Sequence, residues 1–447
     1  MNTMHSPSRR RFLSQTAAAV AAPIIVPSSV LGQTGKARPG NRINVGFIGL
    51  GGRSAALLSS FLAQPDVQVA ALCDVQPEHW RDGEWGKGKP RFGTRPALEK
   101  VAQAYDGKTK GVGIYQDFRN LIAHPGLDAV VVATPDHWHA LQCLAALRAG
   151  LDVYCEKPLT HTFEEGRVLY REVAQRKAIF QTGSQQRSTA NFHQAVELIH
   201  NGVLGKIHRV EVGLPQGDKE PVGDATIQEP PASLNYDAWC GPSALLPYRP
   251  AYHHRNWRWR LAFGGGELMD WIGHHNDIAH WALKLDQTGP TEVESINWTW
   301  PDSKEVYDAP VDFDVVSRYA GGVTIRISSR NEMGTRWIGD NGWIYVNRGK
   351  LDASNAGWLK PGFKAGPATA YKSADHTRNF VDGVKTRTEC ICPAETGHRS
   401  VTPGHLGHVS AKIGRKIKWD PQNERVIGDP EAEKLLKADF RYPWKLV

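Results

Sequence analysis

Cysteine is scarce, at six in 447 residues (Cys73, Cys143, Cys155, Cys240, Cys390 and Cys392), and no CxxC pair occurs, which excludes a disulfide framework and argues against a zinc or dithiol motif. Cys73, Cys143 and Cys155 lie inside apolar runs and read as inert core thiols. No apolar run is long enough for a membrane span: the stretch Ala17 to Val26 near the N-terminus is short and interrupted by Pro23. Basic runs and basic helical stripes are also missing. The formal charge is +8, but Arg9, Arg10 and Arg11 sit in a 32-residue segment with no acid, and without it 51 basic residues face 46 acidic ones, or +5. A surplus spread this thinly excludes tracking of a phosphate backbone, so nucleic acid is not an expected partner. There is no HExxH metal motif, no internal repeat and no low-complexity tract.

What is present is the composition of a soluble globular chain, 40% hydrophobic and 22% charged, with length for two or three packed cores. Ser8-Arg9-Arg10-Arg11-Phe12-Leu13 followed by Ala17 to Val26 reads as a signal peptide over residues 1–32, with Val30 and Gly32 small enough for cleavage near Gly32. The paired arginines followed by Phe-Leu resemble the twin-arginine signal, which exports proteins already folded. The expected location is the periplasm, with no stable membrane insertion after cleavage and with any cofactor loaded beforehand.

Residues 41–184 read as a dinucleotide-binding domain. The strand Arg42 to Gly49 runs through Leu50-Gly51-Gly52-Arg53-Ser54 into a helix. Gly49 permits the tight turn, Gly51 lets the backbone approach a pyrophosphate, and Gly52 and Arg53 complete the cradle; Ser54 stands where the fingerprint has its third glycine. The strand Val67 to Leu72 ends at Asp74, 25 residues after Gly49, where an acid accepts hydrogen bonds from ribose hydroxyls and repels a 2′-phosphate. This favours NAD over NADP, a preference that Arg53 could offset in part. The buried strand Ala129 to Ala133 delivers Thr134, Pro135, His137 and His139 to the carboxyl edge of the sheet, and the strand Asp152 to Cys155 delivers Glu156-Lys157-Pro158 there. All are candidate cofactor contacts. Strand and helix alternate as in a doubly wound α/β domain.

Residues 185–447 change texture. The stretch Leu214 to Trp259 is rich in proline and in aromatic residues (Trp239, Tyr248, Tyr252, Trp257, Trp259), which either pack the loop down or offer a flat surface to a sugar. Arg187 and Trp257 are candidate substrate contacts. Beyond it, Asp314 to Ala320, Gly321-Gly322 and Val323 to Ser328 form a hairpin that, with Val293 to Trp298 and Trp343 to Val346, builds a large, mainly antiparallel sheet with one face open for dimerisation.

Gly264-Gly265-Gly266 opens a helix on which Asp270, His274 and Asp277 fall at i, i+4 and i+7, along one stripe. An acid one turn from a histidine favours the imidazolium and so helps the ring accept a proton. The glycine-rich start, Ala133-Thr134-Pro135, Glu156-Lys157-Pro158 and Gly264-Gly265-Gly266 with Asp270 and His274 together resemble the Gfo/Idh/MocA family of sugar and inositol oxidoreductases, over nearly the whole mature chain. The resemblance implies an N-terminal Rossmann domain joined to an open-sheet α/β domain that mediates homo-oligomerisation, as dimer or tetramer, with the site between them. It also implies that Lys157 lies by the nicotinamide and the reacting hydroxyl, that His274 is the general acid/base, that Asp270 supports proton transfer, and that Glu156 helps hold Lys157. The expected activity is NAD(P)-dependent oxidation of a secondary or anomeric hydroxyl of a sugar, glycoside or inositol, with no metal.

Three rival readings remain open. The family contains enzymes that oxidise a sugar carbon only transiently, so that a glycosidic bond can be eliminated. The histidine pairs His137/His139, His253/His254 and His274/His275 raise a metal-dependent sugar hydrolase or isomerase. The last is a non-catalytic dinucleotide sensor, against which Lys157, Asp270 and His274 together argue.

Overall fold

The computed structural model describes residues 41–80 and 90–446. The twin-arginine segment and its cleavage point lie outside the described residues. The first sheet is built from β1 (Ile43–Ile48), β2 (Val67–Cys73), β3 (Gly113–Tyr115), β4 (Ala129–Val132), β5 (Asp152–Cys155) and β6 (Phe180–Thr182), all parallel, in the order β3-β2-β1-β4-β5-β6. Its apolar runs are continuous because both faces are covered: Val130 and Val132 of β4 enter one core while Ala129 and Val131 enter the other. Strand order reverses between β1 and β4, and the crevice that opens there is where an open parallel sheet receives its ligand. The helices α1 (Gly52–Leu62) and α2 (Asp136–Arg148) start at that edge.

The second sheet has nine strands: β7 (Ile207–Gly213), β8 (Glu292–Thr299), β9 (Asp312–Arg318), β10 (Thr324–Ser328), β11 (Gly334–Gly339), β12 (Gly342–Asn347), β13 (Lys350–Ala353), β14 (Ile417–Asp420) and β15 (Arg425–Val426), ordered β13-β12-β11-β7-β10-β9-β8-β14-β15. Only β7 and β10 pair parallel. The β9–β10 hairpin closes through Gly321 and Gly322, both at positive φ (84° and 88°), a conformation that costs a residue with a Cβ. Ile325 and Ile327 point into the core against α3 (Ala190–His200), α4 (Gly266–Leu283) and α5 (Ala394–Ile413), while Thr324 and Arg326 stand half-buried on the opposite face.

The change of texture after Ser184 does not partition the cores. The helix His376–Thr386 returns to the first sheet, where Phe380 meets Phe61 and Tyr154 edge-on at 6.1 and 5.8 Å, and Leu446 joins the core on the other face. All six cysteines are buried and free. Trp239, Tyr252, Trp257 and Trp259 are buried in a small core of their own, so the aromatic stretch is packed down; Trp257 alone among these four is both buried there and turned toward Arg258. Among the described residues no helix is long and apolar enough to cross a membrane.

Candidate active site

A cleft of about 840 Å³ opens at the carboxyl edge of the first sheet and brings Gly49, Gly51, Gly52, Arg53, Asp74, Thr134, Pro135, Glu156 and Lys157 together with Trp257, Asp270 and His274. At its floor Gly49 has φ +81°, and a Cβ there would stand 2.7 Å from the Thr134 methyl and 2.9 Å from the Ala133 backbone. A Cβ on Gly51, by contrast, meets nothing within 4 Å. The first N–H groups of α1 have no side-chain cap, and the buried Ser54 hydroxyl has no hydrogen-bond partner. Open space in front of uncapped amides is what a pyrophosphate requires. Asp74 accepts hydrogen bonds from the Leu50 amide (2.7 Å) and the Gln76 amide (3.0 Å), which fix its carboxylate and leave lone pairs for ribose hydroxyls. These residues fit a nicotinamide dinucleotide. Arg53 does not face Asp74: it donates to Glu156 at 2.8 Å, so it is not placed to offset Asp74's effect on a 2′-phosphate.

At the other end, Lys157 and α4 meet. The close approach depends on Gly273, where a Cβ would lie 3.1 Å from the Lys157 Cβ. The Lys157 ammonium donates to the Asp270 carbonyl (2.6 Å) and to Asp270 Oδ1 (2.9 Å), and Arg258 Nε donates to the same oxygen at 2.8 Å. Burial alone would push the Asp270 carboxyl up, but Arg258 and Lys157 hold it well below the carboxylate range. Arg258 itself lies 4.4 Å over the Trp257 ring. His274, 7% exposed, keeps its Nδ1 buried without a partner, which leaves Nε2 to serve the cleft. Burial first, then Lys157 and Arg348, push its pKa well below the ordinary imidazole value, against the pull of Asp270. The ring is therefore neutral at pH 7 and able to take a proton.

Several expectations are corrected. Asp270 makes no hydrogen bond to His274; its Oδ1 accepts from both Lys157 and Arg258, so its direct role is to position the ammonium, and its pull on the imidazole acts only through space. Glu156 holds Lys157 through the backbone and not through the ammonium: its Oε2 accepts from the Lys157 amide at 3.4 Å, while its Oε1 takes Arg53 and Gln185. Asp277 leaves the stripe's cleft side and is fully buried against Arg187, which contacts no part of the cleft: Arg187 donates to Asp277 (2.7 and 2.9 Å) and to Asp286 (2.9 and 2.7 Å). His137 and His139 are also structural. His137 faces the carbonyls of Phe263 (3.2 Å) and Trp239 (3.0 Å), and His139 those of Pro158 (2.8 Å) and Thr134 (3.0 Å), so the residues that α2 presents to the cleft are Asp136, Trp138 and Gln142. Arg258, Trp271 and Arg348 line the cleft without having been singled out from the sequence; the Trp-Arg-Trp run at residues 257–259 was a signal for the first of them.

Comparison with known proteins agrees with this layout. Residues 43–184 match the NAD-binding Rossmann fold of the Gfo/Idh/MocA oxidoreductase family, and residues 189–446 match that family's C-terminal alpha/beta domain. A glycosyl hydrolase family 109 protein of Stenotrophomonas maltophilia is 27% identical over 219 residues, 47% of this chain and 42% of that protein, so the chain spans less than half the length of this relative. The aldose-aldose oxidoreductase of Caulobacter crescentus, solved with glycerol, superimposes with a TM-score of 0.58 at 19% identity over 84% of this chain and 99% of its own. The WlbA dehydrogenase of Bordetella pertussis, solved with NADH and UDP-GlcNAcA, gives a TM-score of 0.61 at 17% identity over 85% and 99%. With both halves matched and the glycine cradle, Lys157, Asp270 and His274 gathered in one cleft, the chain belongs to the Gfo/Idh/MocA oxidoreductase family.

Proposed function

We propose that the protein is an NAD(P)-dependent oxidoreductase acting on a secondary or anomeric hydroxyl of a sugar, glycoside or inositol. The observation that carries this reading is that one cleft is lined both by the Gly49 to Asp74 cradle and by Lys157 and His274, with α4 brought against Lys157 at Gly273. Gly51, the amides of α1 and Asp74 would hold the dinucleotide, which supplies hydride acceptance and donation when bound. Lys157, steered by Asp270, donates a hydrogen bond to the reacting oxygen and stabilises its negative charge. His274 takes the hydroxyl proton. In the reverse direction the same pair returns it. Screening sugars, glycosides and inositols for reduction of added NAD tests the reading, which fails if no alcohol in the panel reduces it.

Asp74 sets the choice of dinucleotide. Asp74→Ser removes the charge that repels a 2′-phosphate and is expected to raise NADP use relative to NAD by about 10- to 100-fold, the size of a charged hydrogen bond gained or lost. An unchanged ratio of kcat/KM for the two cofactors would remove Asp74 from the ribose site.

The similarity to a glycosyl hydrolase family 109 protein supports a second reading, in which oxidation at one sugar carbon is transient and a glycosidic bond is broken before the carbon is reduced again. Both versions gain from a cofactor that stays bound. Residues 1–32 read as a twin-arginine signal, free NAD is expected to be scarce in the periplasm, and a folded protein can carry its nucleotide through export. The exported protein, gel-filtered at high dilution, is therefore expected to release NAD(H) on denaturation and to turn over carbohydrate without added nucleotide. Activity that returns only with added NAD, from protein holding none, would leave an exchanging dehydrogenase.

A further inference from the structure

Charges at the His274 end of the cleft do not cancel. Arg53 is matched by Glu156, while Lys157 and Arg258 share the single carboxylate of Asp270. Asp136, on the same wall, is pushed by burial toward its neutral form against Arg258 and Lys157, and even its ionised form would do no more than balance that pair. Arg348 is the surplus. It occupies the turn between β12 and β13 at the rim of the cleft, and among the described residues no carboxylate lies within salt-bridge distance of it. Its guanidinium instead sits 4.8 Å over the Trp271 ring, whose centre is 5.3 Å from that of His274, so Arg348, Trp271 and His274 follow one another along one wall.

An unmatched guanidinium at the mouth of a low-dielectric cleft raises the local concentration of anions, and its planar fork suits a carboxylate or phosphate group. Stacking on Trp271 restricts the fork's orientation, so less freedom is lost when an anion binds. We infer that the substrate is an anionic carbohydrate, a sugar or cyclitol bearing a carboxylate or phosphate, whose anion binds Arg348 while a nearby hydroxyl meets His274 and Lys157. This rests on the oxidoreductase reading of the same cleft.

The competing source of the same chemistry is the dinucleotide's own pyrophosphate, and the test separates the two. NADH-loaded protein, in which no alcohol can be oxidised, is titrated calorimetrically with matched sets: glucose, glucuronate and glucose 6-phosphate; galactose and galacturonate; inositol and inositol phosphate. Anionic members are expected to bind about 10- to 100-fold more tightly than their neutral counterparts, Arg348→Met to abolish that difference, and Arg348→Lys to restore part of it. NADH affinity, read from nucleotide fluorescence, is expected to stay within about twofold in Arg348→Met. Equal binding of neutral and anionic members, absence of binding by every member, or a loss of NADH affinity with the anion preference intact would each overturn the inference. Should the preference be present and depend on Arg348 while no alcohol reduces NAD, the oxidoreductase reading fails and the anion site stands.

Discussion

His274→Asn and Lys157→Ala are each expected to lower carbohydrate turnover by about 10²- to 10⁴-fold, the range for lost acid/base assistance, while the dinucleotide still binds. The two losses differ in kind. His274 acts through a neutral ring, so wild-type kcat/KM is expected to be lost on the acid side as the ring becomes protonated, with the midpoint below the ordinary imidazole value of 6.5. In His274→Asn that limb disappears from the residual activity. Lys157→Ala removes the positive charge beside the reacting oxygen and also releases Asp270, which Arg258 continues to bind at 2.8 Å. The acid limb therefore persists in Lys157→Ala, shifted to higher pH because one of the cations that depress His274 is gone. Near-normal turnover in either variant removes that residue from the mechanism; an acid limb that survives in His274→Asn assigns the proton to another group. Nucleotide fluorescence titration of both variants separates these effects from a damaged cradle.

The parts of the site that the sequence made legible are those governed by local rules. The turn after β1 needs a residue at positive φ and a bare approach, which only the Gly49 to Gly52 run provides, and the apolar periods of β1, β2 and β4 carry their ends to one edge. Helical spacing placed Asp270 and His274 on one stripe with no knowledge of their neighbours. What spacing could not show is which groups the stripe would meet. Asp270 is claimed by Lys157, 113 residues earlier, and by Arg258 from a four-residue 3-10 turn (Asn256–Trp259) too short to show a period. His137 looked like a cofactor contact because it follows a strand at the ligand edge, yet its ring lies between carbonyls 102 and 126 residues away and donates to one of them. Arg348 left no sequence signal at all: a hairpin turn places it on the cleft, and only the strand order β13-β12-β11 brings that turn near α4. Side chains whose fate depends on long-range partners were the ones misread.

Arg187 is the sharpest instance, and it supports the second large prediction. Its guanidinium is 1% exposed and makes bidentate hydrogen bonds to both Asp277 and Asp286, so it ties α4 to the segment just after the first domain. Removing one member of a buried pair leaves an uncompensated charge, at a cost of about 3–5 kcal/mol. Arg187→Met is therefore expected to lower the unfolding free energy by about that amount in urea titration, with the KM of the folded fraction unaltered. The loss has a pH signature. Burial pushes the Asp277 carboxyl up to about 6 even with Arg187 opposing it, so between the unfolded value near 4 and that value the folded state holds more protons and stability declines as pH rises. Without Arg187 the folded pKa rises further, the decline extends past neutrality, and the deficit of the variant grows from pH 5 to pH 8. Adding Asp277→Asn removes the buried charge and is expected to recover part of the loss at pH 8 and little at pH 5. A deficit independent of pH, or an increase in KM without a loss of stability, would return Arg187 to the substrate site and dismiss it as a strut of the fold.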